Sequence, residues 1–166
     1  SSLSDIRRKP LYLDSTGKGL YANDRSLFIH DPVFSATKRT ALLDIRSADN
    51  KDRWIAILDC SNATIKELDH QHDEAWIGGP GISSWNEEVA VLDWLEDGKS
   101  FYFQSEETGY SKLYAYDLLS AKKSCLMPMD KIEVYQAQLA KDRKSLYIEY
   151  TNCQTGFTGH HSFGRL

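Results

Sequence analysis

The segment Trp94-Leu95-Glu96-Asp97-Gly98-Lys99-Ser100-Phe101-Tyr102-Phe103 recurs as Leu139-Ala140-Lys141-Asp142-Arg143-Lys144-Ser145-Leu146-Tyr147-Ile148. A weaker copy runs from Phe34-Ser35-Ala36-Thr37-Lys38-Arg39 into Ala41-Leu42-Leu43. Each copy is an apolar anchor, a polar turn and an apolar strand. The anchors Phe34, Trp94 and Leu139 are 60 and 45 residues apart, which suits four-stranded propeller blades of roughly 40 to 50 residues. One blade cannot bury both of its faces, so copies must stack on one another. The expected fold is all-β: a β-propeller segment of about three four-stranded antiparallel blades. Complete propellers have roughly four to eight blades, so this chain alone does not close the ring, and we expect a piece of a longer protein. The reading divides the chain into outer strands of a preceding blade (1–30, including Pro10-Leu11-Tyr12-Leu13 and Gly19-Leu20-Tyr21-Ala22), a blade with a long loop (31–90), a blade (91–134) and an incomplete blade (135–166).

Local patterning agrees with strands. Residues 39–45, 53–59, 100–104, 112–117 and 144–150 are short runs rich in aromatic and β-branched residues, bounded by turn formers. Ala48-Asp49-Asn50, Cys60-Ser61-Asn62-Ala63, Glu96-Asp97-Gly98-Lys99 and Glu107-Thr108-Gly109 supply Asx turns or tolerate positive φ. Ser15-Thr16-Gly17-Lys18 is a further turn signal. Residues 132–139 come nearest to a helix, but their β-branched content makes them a better strand.

Charge and cysteine content narrow the function. Twenty Lys and Arg against 24 Asp and Glu give a net charge of -4, which offers no general attraction for nucleic acid or anionic lipid. No run of about 18 apolar residues occurs, so no membrane segment is expected. Cys60, Cys125 and Cys153 are widely spaced and read as buried thiols, with one disulfide and a spare thiol as the alternative in an oxidising compartment.

His70-Gln71-His72-Asp73 places two imidazoles on one strand face, where a metal could bind, but no third ligand follows at a recognised spacing. Adjacent His160 and His161 point to opposite faces of a strand. No metal or cofactor is expected. Gly109-Tyr110-Ser111-Lys112-Leu113 approaches a nucleophile elbow but lacks its second glycine and lies between two expected strands rather than before a helix. Arg53, Trp54 and the run Asp49-Asn50-Lys51-Asp52 suggest a cross-blade ion pair and a packed indole. The aromatic ladder between 101 and 116 reads as blade core.

Asp52-Arg53-Trp54-Ile55, Asp73-Glu74-Ala75-Trp76-Ile77-Gly78, Asp93-Trp94-Leu95-Glu96-Asp97-Gly98-Lys99, Ser105-Glu106-Glu107-Thr108-Gly109-Tyr110-Ser111-Lys112-Leu113-Tyr114 and the Gly-x-x-x-Phe-x-Arg-Leu run from Gly159 occur in this order. Together they resemble the N-terminal β-propeller of the dipeptidyl peptidase IV branch of the prolyl oligopeptidase family, over residues of about 31 to 166. The resemblance implies a periplasmic or secreted serine exopeptidase whose propeller gates and lines a substrate channel. A C-terminal α/β-hydrolase domain, absent here, cleaves the peptide. Implied partners are the peptide substrate, that hydrolase domain and a second copy in a homodimer. No catalytic triad occurs in this chain.

The resemblance also directs attention to two stretches. Trp76-Ile77-Gly78-Gly79-Pro80 matches a loop that reaches the family's cavity with a Phe-Arg pair; here glycines and a proline stand in its place, and the loop also reads as a blade-crossing turn. Glu87-Glu88 invites comparison with the paired glutamates that hold the substrate's α-ammonium, a charge-assisted contact that is strong when desolvated. The family's pair lies in an earlier blade, however, and Glu87-Glu88 also reads as a solvated loop pair. A non-enzymatic TolB-like or WD-like propeller that holds a protein or peptide is the alternative reading of the chain.

Overall fold

The computed structural model describes residues 3–8, 15–16, 25–82, 90–142, 144–155 and 157–164. Among the described residues, three antiparallel sheets succeed one another in sequence, in two compact units, Ser1–Trp76 and Ile77–Leu166.

The first unit contains α1 (Leu3–Arg8), β1 (Leu27–Ile29), β2 (Val33–Phe34), β3 (Thr40–Ser47), β4 (Asp52–Asp59) and β5 (Thr64–His72). β1 and β2 share one edge of β3, Leu27 opposite Ser47 and Phe34 opposite Ala41, with a one-residue slip in register between them. They act as two halves of one inner strand, broken where Pro32 has no N–H to give to a ladder. The five strands therefore have the width of a four-stranded blade. Within 1–30, β1 is part of this sheet and Leu3–Arg8 is helical; residues 10–13 and 19–22 lie outside the described residues. Six residues are too few to hold a helix by themselves. Ile6, 2% exposed, anchors it on Leu43, Ile45, Trp54 and Ala56.

The second unit holds a meander of β6 (Leu92–Trp94), β7 (Ser100–Ser105), β8 (Lys112–Asp117) and β9 (Lys122–Cys125), followed by β10 (Ile132–Leu139), β11 (Ser145–Asn152) and β12 (Phe157–Gly164). Leu95, Tyr102, Leu113 and Met127 pack against Ile132, Val134, Leu146 and Ile148, so one sheet covers the other. The opposite face of β6–β9 carries Trp94, Phe101, Phe103, Tyr114 and Tyr116, all buried, with contacting ring centroids 5.3 to 6.3 Å apart. The sheet is thus apolar on both faces, as a blade between neighbours must be. Residues 132–139 form a strand throughout, as their β-branched content required.

The repeat has a common hydrogen-bond geometry. The residue after each anchor donates its N–H to the carbonyl five positions on: Ser35 to Thr40 (2.9 Å), Leu95 to Ser100 (2.8 Å) and Ala140 to Ser145 (2.8 Å). Asp97 accepts the N–H groups of Lys99 and Ser100, and Asp142 accepts that of Lys144. In the divergent first copy Ser35 Oγ stands in the carboxylate's place and is bonded to Thr40. The positive φ falls on Gly98 (61°) in one copy and on Lys38 (54°) in another, where only glycine avoids the left-handed penalty.

The cysteines depart from expectation. All three are free; Cys60 and Cys153 are exposed and Cys125 is half-buried. Cys60 and Cys153 occupy the turns after β4 and β11, and a hairpin turn points away from both packed faces, so apolar character did not bury them.

Candidate functional site

The structure brings together two stretches that the sequence marked separately, the 76–81 loop and the β7–β8 hairpin. Gly78 N–H donates to Glu106 Oε2 (3.1 Å). The Pro80 carbonyl accepts from Gln104 Nε2 (3.0 Å) and from the Ser111 hydroxyl (2.7 Å). Gln104, with no exposed surface, shares the two hydrogens of the same Nε2 with the Val134 carbonyl (2.6 Å) and Ser111 Oγ (2.9 Å) as well, and so ties the loop, β7 and β10 through one amide.

This packing explains the glycines. A Cβ on Gly79 would lie 2.0 Å from Glu106 Oε1, and one on Gly81 1.8 Å from Gln104 Oε1. Gly81 also has φ +69°, whereas Gly98, with φ +61°, has nothing within 4 Å of its would-be Cβ. Gly98→Ala therefore isolates the left-handed penalty, about 1–2 kcal/mol. Gly81→Ala adds the displacement of a buried side chain, a further 1–3 kcal/mol or so for overpacking. Urea denaturation midpoints for the two variants check this difference; equal losses would mean that Gln104 yields freely.

The loop offers little side-chain chemistry. Ile77 is buried at 3%, whereas Trp76, 53% exposed, presents its indole to solvent. Glu87 and Glu88 lie outside the described residues. An acidic pair that the sequence did not single out lies beside the loop's anchor. Glu133 accepts Ser111 N–H (3.3 Å). Its carboxyl is pushed above the usual range by burial first and then by the charge of Glu106, against the pull of that hydrogen bond. The sequence signal was Glu106 within the Ser-Glu-x-x-Gly-Tyr strand pair; its partner at 133 became visible only when β10 came alongside β8.

Ser111 is no nucleophile in this arrangement. It is fully buried, its proton is given to Pro80, and its oxygen accepts from Gln104. Acyl transfer needs a base within reach of the hydroxyl, and this one is committed to backbone.

A second polar cluster lies wholly in the first unit. Asp52, with no exposed surface, opens β4 opposite His72, and Trp54 stands opposite His70. Asp52 Oδ1 accepts from His70 Nε2 and His72 Nδ1, both at 2.9 Å, and Oδ2 accepts from Arg25 Nη1 at 2.8 Å. His70 stacks on Trp54 (centroids 5.2 Å apart, planes 6° apart), and the Arg25 guanidinium lies 4.8 Å from the Trp54 centroid. The alternating histidines do share a face, but they turn to a carboxylate. Among the described residues no group of three or more His, Cys, Asp or Glu is arranged to hold a metal. His160 and His161 occupy successive positions of β12, opposite Glu149 and Ile148.

The expected cross-blade ion pair is instead a pair within one sheet. Arg53 on β4 donates through Nε and Nη2 to both oxygens of Asp44 on β3 (3.0 and 2.9 Å), and both residues are buried. Asp52 pairs with Arg25 instead. The two acids lie on opposite faces of the sheet, because Asp52 and Arg53 are neighbours on a strand and must point apart.

No family model matches the sequence, and no curated protein does either. Solved structures do. A protein assigned as a dipeptidyl aminopeptidase IV from Bacteroides ovatus aligns with a TM-score of 0.64 and 15% identity, covering 92% of this chain and 24% of that one. A prolyl endopeptidase aligns at 0.58 and 13% identity, covering 89% of this chain and 22% of the other. TolB from Acinetobacter baumannii aligns at 0.51 and 18% identity, with 78% and 31% covered. These similarities establish the β-propeller fold, and the chain spans about a quarter to a third of those proteins.

Proposed function

We propose that the chain is a propeller segment of a dipeptidyl-peptidase-like serine exopeptidase, and that it gates and lines the substrate channel while a hydrolase domain does the cleavage. The observation that carries the reading is the 76–81 loop. Its Trp-Ile-Gly motif and the Ser-Glu-x-x-Gly-Tyr hairpin, two of the stretches that carry the family resemblance, are joined by the Gly78–Glu106 bond and clamped by Gln104. Similarity over 92% of the chain to the Bacteroides ovatus protein supports it. In this reading the loop is a wall of the channel, the peptide substrate and the hydrolase domain are partners, and the compartment is the periplasm or the exterior. Gly79 and Pro80 would leave a wider subsite than a Phe-Arg pair does.

The TolB similarity favours a second reading, a propeller without catalysis that binds a protein or peptide. The two separate in the full-length gene product. The peptidase reading expects a downstream Gly-x-Ser-x-Gly elbow, followed by Asp and His, and turnover of X-Pro or X-Ala dipeptidyl chromogenic substrates. A reading frame with no such elbow and a product with no turnover would favour the binding module.

A further inference from the structure

The Asp52 cluster does something that neither reading of function requires. The His72 ring stands between two carboxylates: Nδ1 is 2.9 Å from Asp52 Oδ1, and Nε2 is 3.5 Å from Glu74 Oε1. Asp52 is buried and Glu74 mostly exposed. The ring meets Asp52 from β4 and Glu74 beyond β5; the charged and titratable groups one step further are His70 from its own strand and Arg25 before β1, both bonded to Asp52, and Lys51 in the β3–β4 turn, paired with Glu74.

The geometry decides which nitrogen changes. Asp52 Oδ1 needs an N–H from His72 Nδ1, so a neutral His72 keeps that hydrogen and gives up the one on Nε2. The Nε2 lone pair then faces the Glu74 oxygen, and an attraction becomes a repulsion. Glu74 is left with Lys51 Nζ at 3.7 Å. Glu74 belongs to a short, locally bonded segment in which Asp73 Oδ1 accepts the N–H groups of Ala75 (2.7 Å) and Trp76 (3.2 Å). We propose that His72 is a proton-operated latch: charged, it fastens the 74–76 segment and its exposed Trp76 to the end of β5; neutral, it lets those residues go, while the Asp73 N–H keeps its own bond to the Lys51 carbonyl (3.0 Å).

The direction of titration agrees with this. Burial, the largest single influence, would lower the His72 value, but the hydrogen bond and charge of Asp52, and then Glu74, outweigh it and raise it. A raised value means stabilisation that is complete below the ordinary imidazole value of 6.5 and is lost as pH rises through the elevated one. Asp52 behaves oppositely. Burial pushes its carboxyl up, the bonds from His70, His72 and Arg25 together hold it below 3.8, and its contribution disappears only as pH falls through that lowered value. The latch is therefore closed across mildly acidic pH and opens toward alkaline pH.

The test is an NMR titration of the 166-residue chain, following the His72 ring protons and the exchange rates of the Ala75 and Trp76 amides. The exchange rates are corrected for intrinsic base catalysis. The His72 midpoint should lie above 6.5, and protection of the two amides should fall roughly twofold to fivefold through that same midpoint, the size of an exposed ion pair. Glu74→Gln should lower the midpoint and flatten the protection profile. His72→Asn keeps a donor for Asp52 near the Nδ1 position and cannot titrate, so the fold survives while the pH step disappears. A midpoint at or below 6.5, or amide protection that ignores it in the native chain, would overturn the latch, as would a step that persists in His72→Asn.

Discussion

Asp44→Ala is expected to destabilise the first sheet by about 3–5 kcal/mol, because it strands a buried cation. Arg53 has no exposed surface and directs two of its nitrogens at the two Asp44 oxygens, and Arg46 stands directly opposite it in the β3–β4 register. Arg46 is buried as well. Desolvation lowers its pKa, Asp44 opposes that, and Arg53 adds to it. Removing the carboxylate leaves two guanidinium groups facing each other in a poorly solvated layer. The paired substitution Asp44→Leu with Arg53→Met should cost much less than Asp44→Ala alone, since removing both partners strands no charge at position 53. Urea denaturation of the three proteins reads the result. A loss below about 1 kcal/mol for Asp44→Ala would place the pair among solvated ion pairs, and a double variant no better than the single would show that Arg53 was not the source.

Phe101→Ala carries the second large effect, about 3–5 kcal/mol. The ring has no exposed surface and touches three others: Trp94 edge-on at 6.3 Å, Phe103 at 5.7 Å and Tyr116 stacked at 5.3 Å. Truncation removes apolar burial and three aromatic contacts, and leaves a cavity whose walls are themselves rigid rings, so little collapse can repay it. Phe101→Leu, which fills most of the volume, should lose clearly less. Near-UV circular dichroism tracks this ladder directly. If alanine and leucine proved equally mild, position 101 would not be the keystone of the aromatic layer.

Much of the fold was legible in the sequence because hairpin chemistry is local. Asp97 and Asp142 bind backbone groups two or three residues away, so the motif and its hydrogen bonds fall within one window of the chain. β5 was harder to see: Thr64–His72 alternates charged and apolar residues around a register shift beside Ile55, and the bulge breaks the period of two. The divided inner strand β1 and β2 was hidden for a similar reason, since two- and three-residue segments carry no measurable period.

The candidate site was legible in its parts and not in its connections. Sequence marked the glycines at 78 and 79, the acidic hairpin at 105–110 and the histidines at 70 and 72. It could not say that Glu106 caps Gly78, that Gln104 occupies the space beside Gly81, or that both histidines answer to Asp52.

By itself, then, the sequence determined that short antiparallel strands repeat at blade spacing and that each repeat opens on the same turn, because both depend on residues a few positions apart. The tertiary structure alone decided which charges meet. Arg53 chose Asp44 and Asp52 chose Arg25 because adjacent residues of a strand face opposite sides of a sheet. The partner on each side is set by strand pairing and packing across 9 or 27 positions of chain.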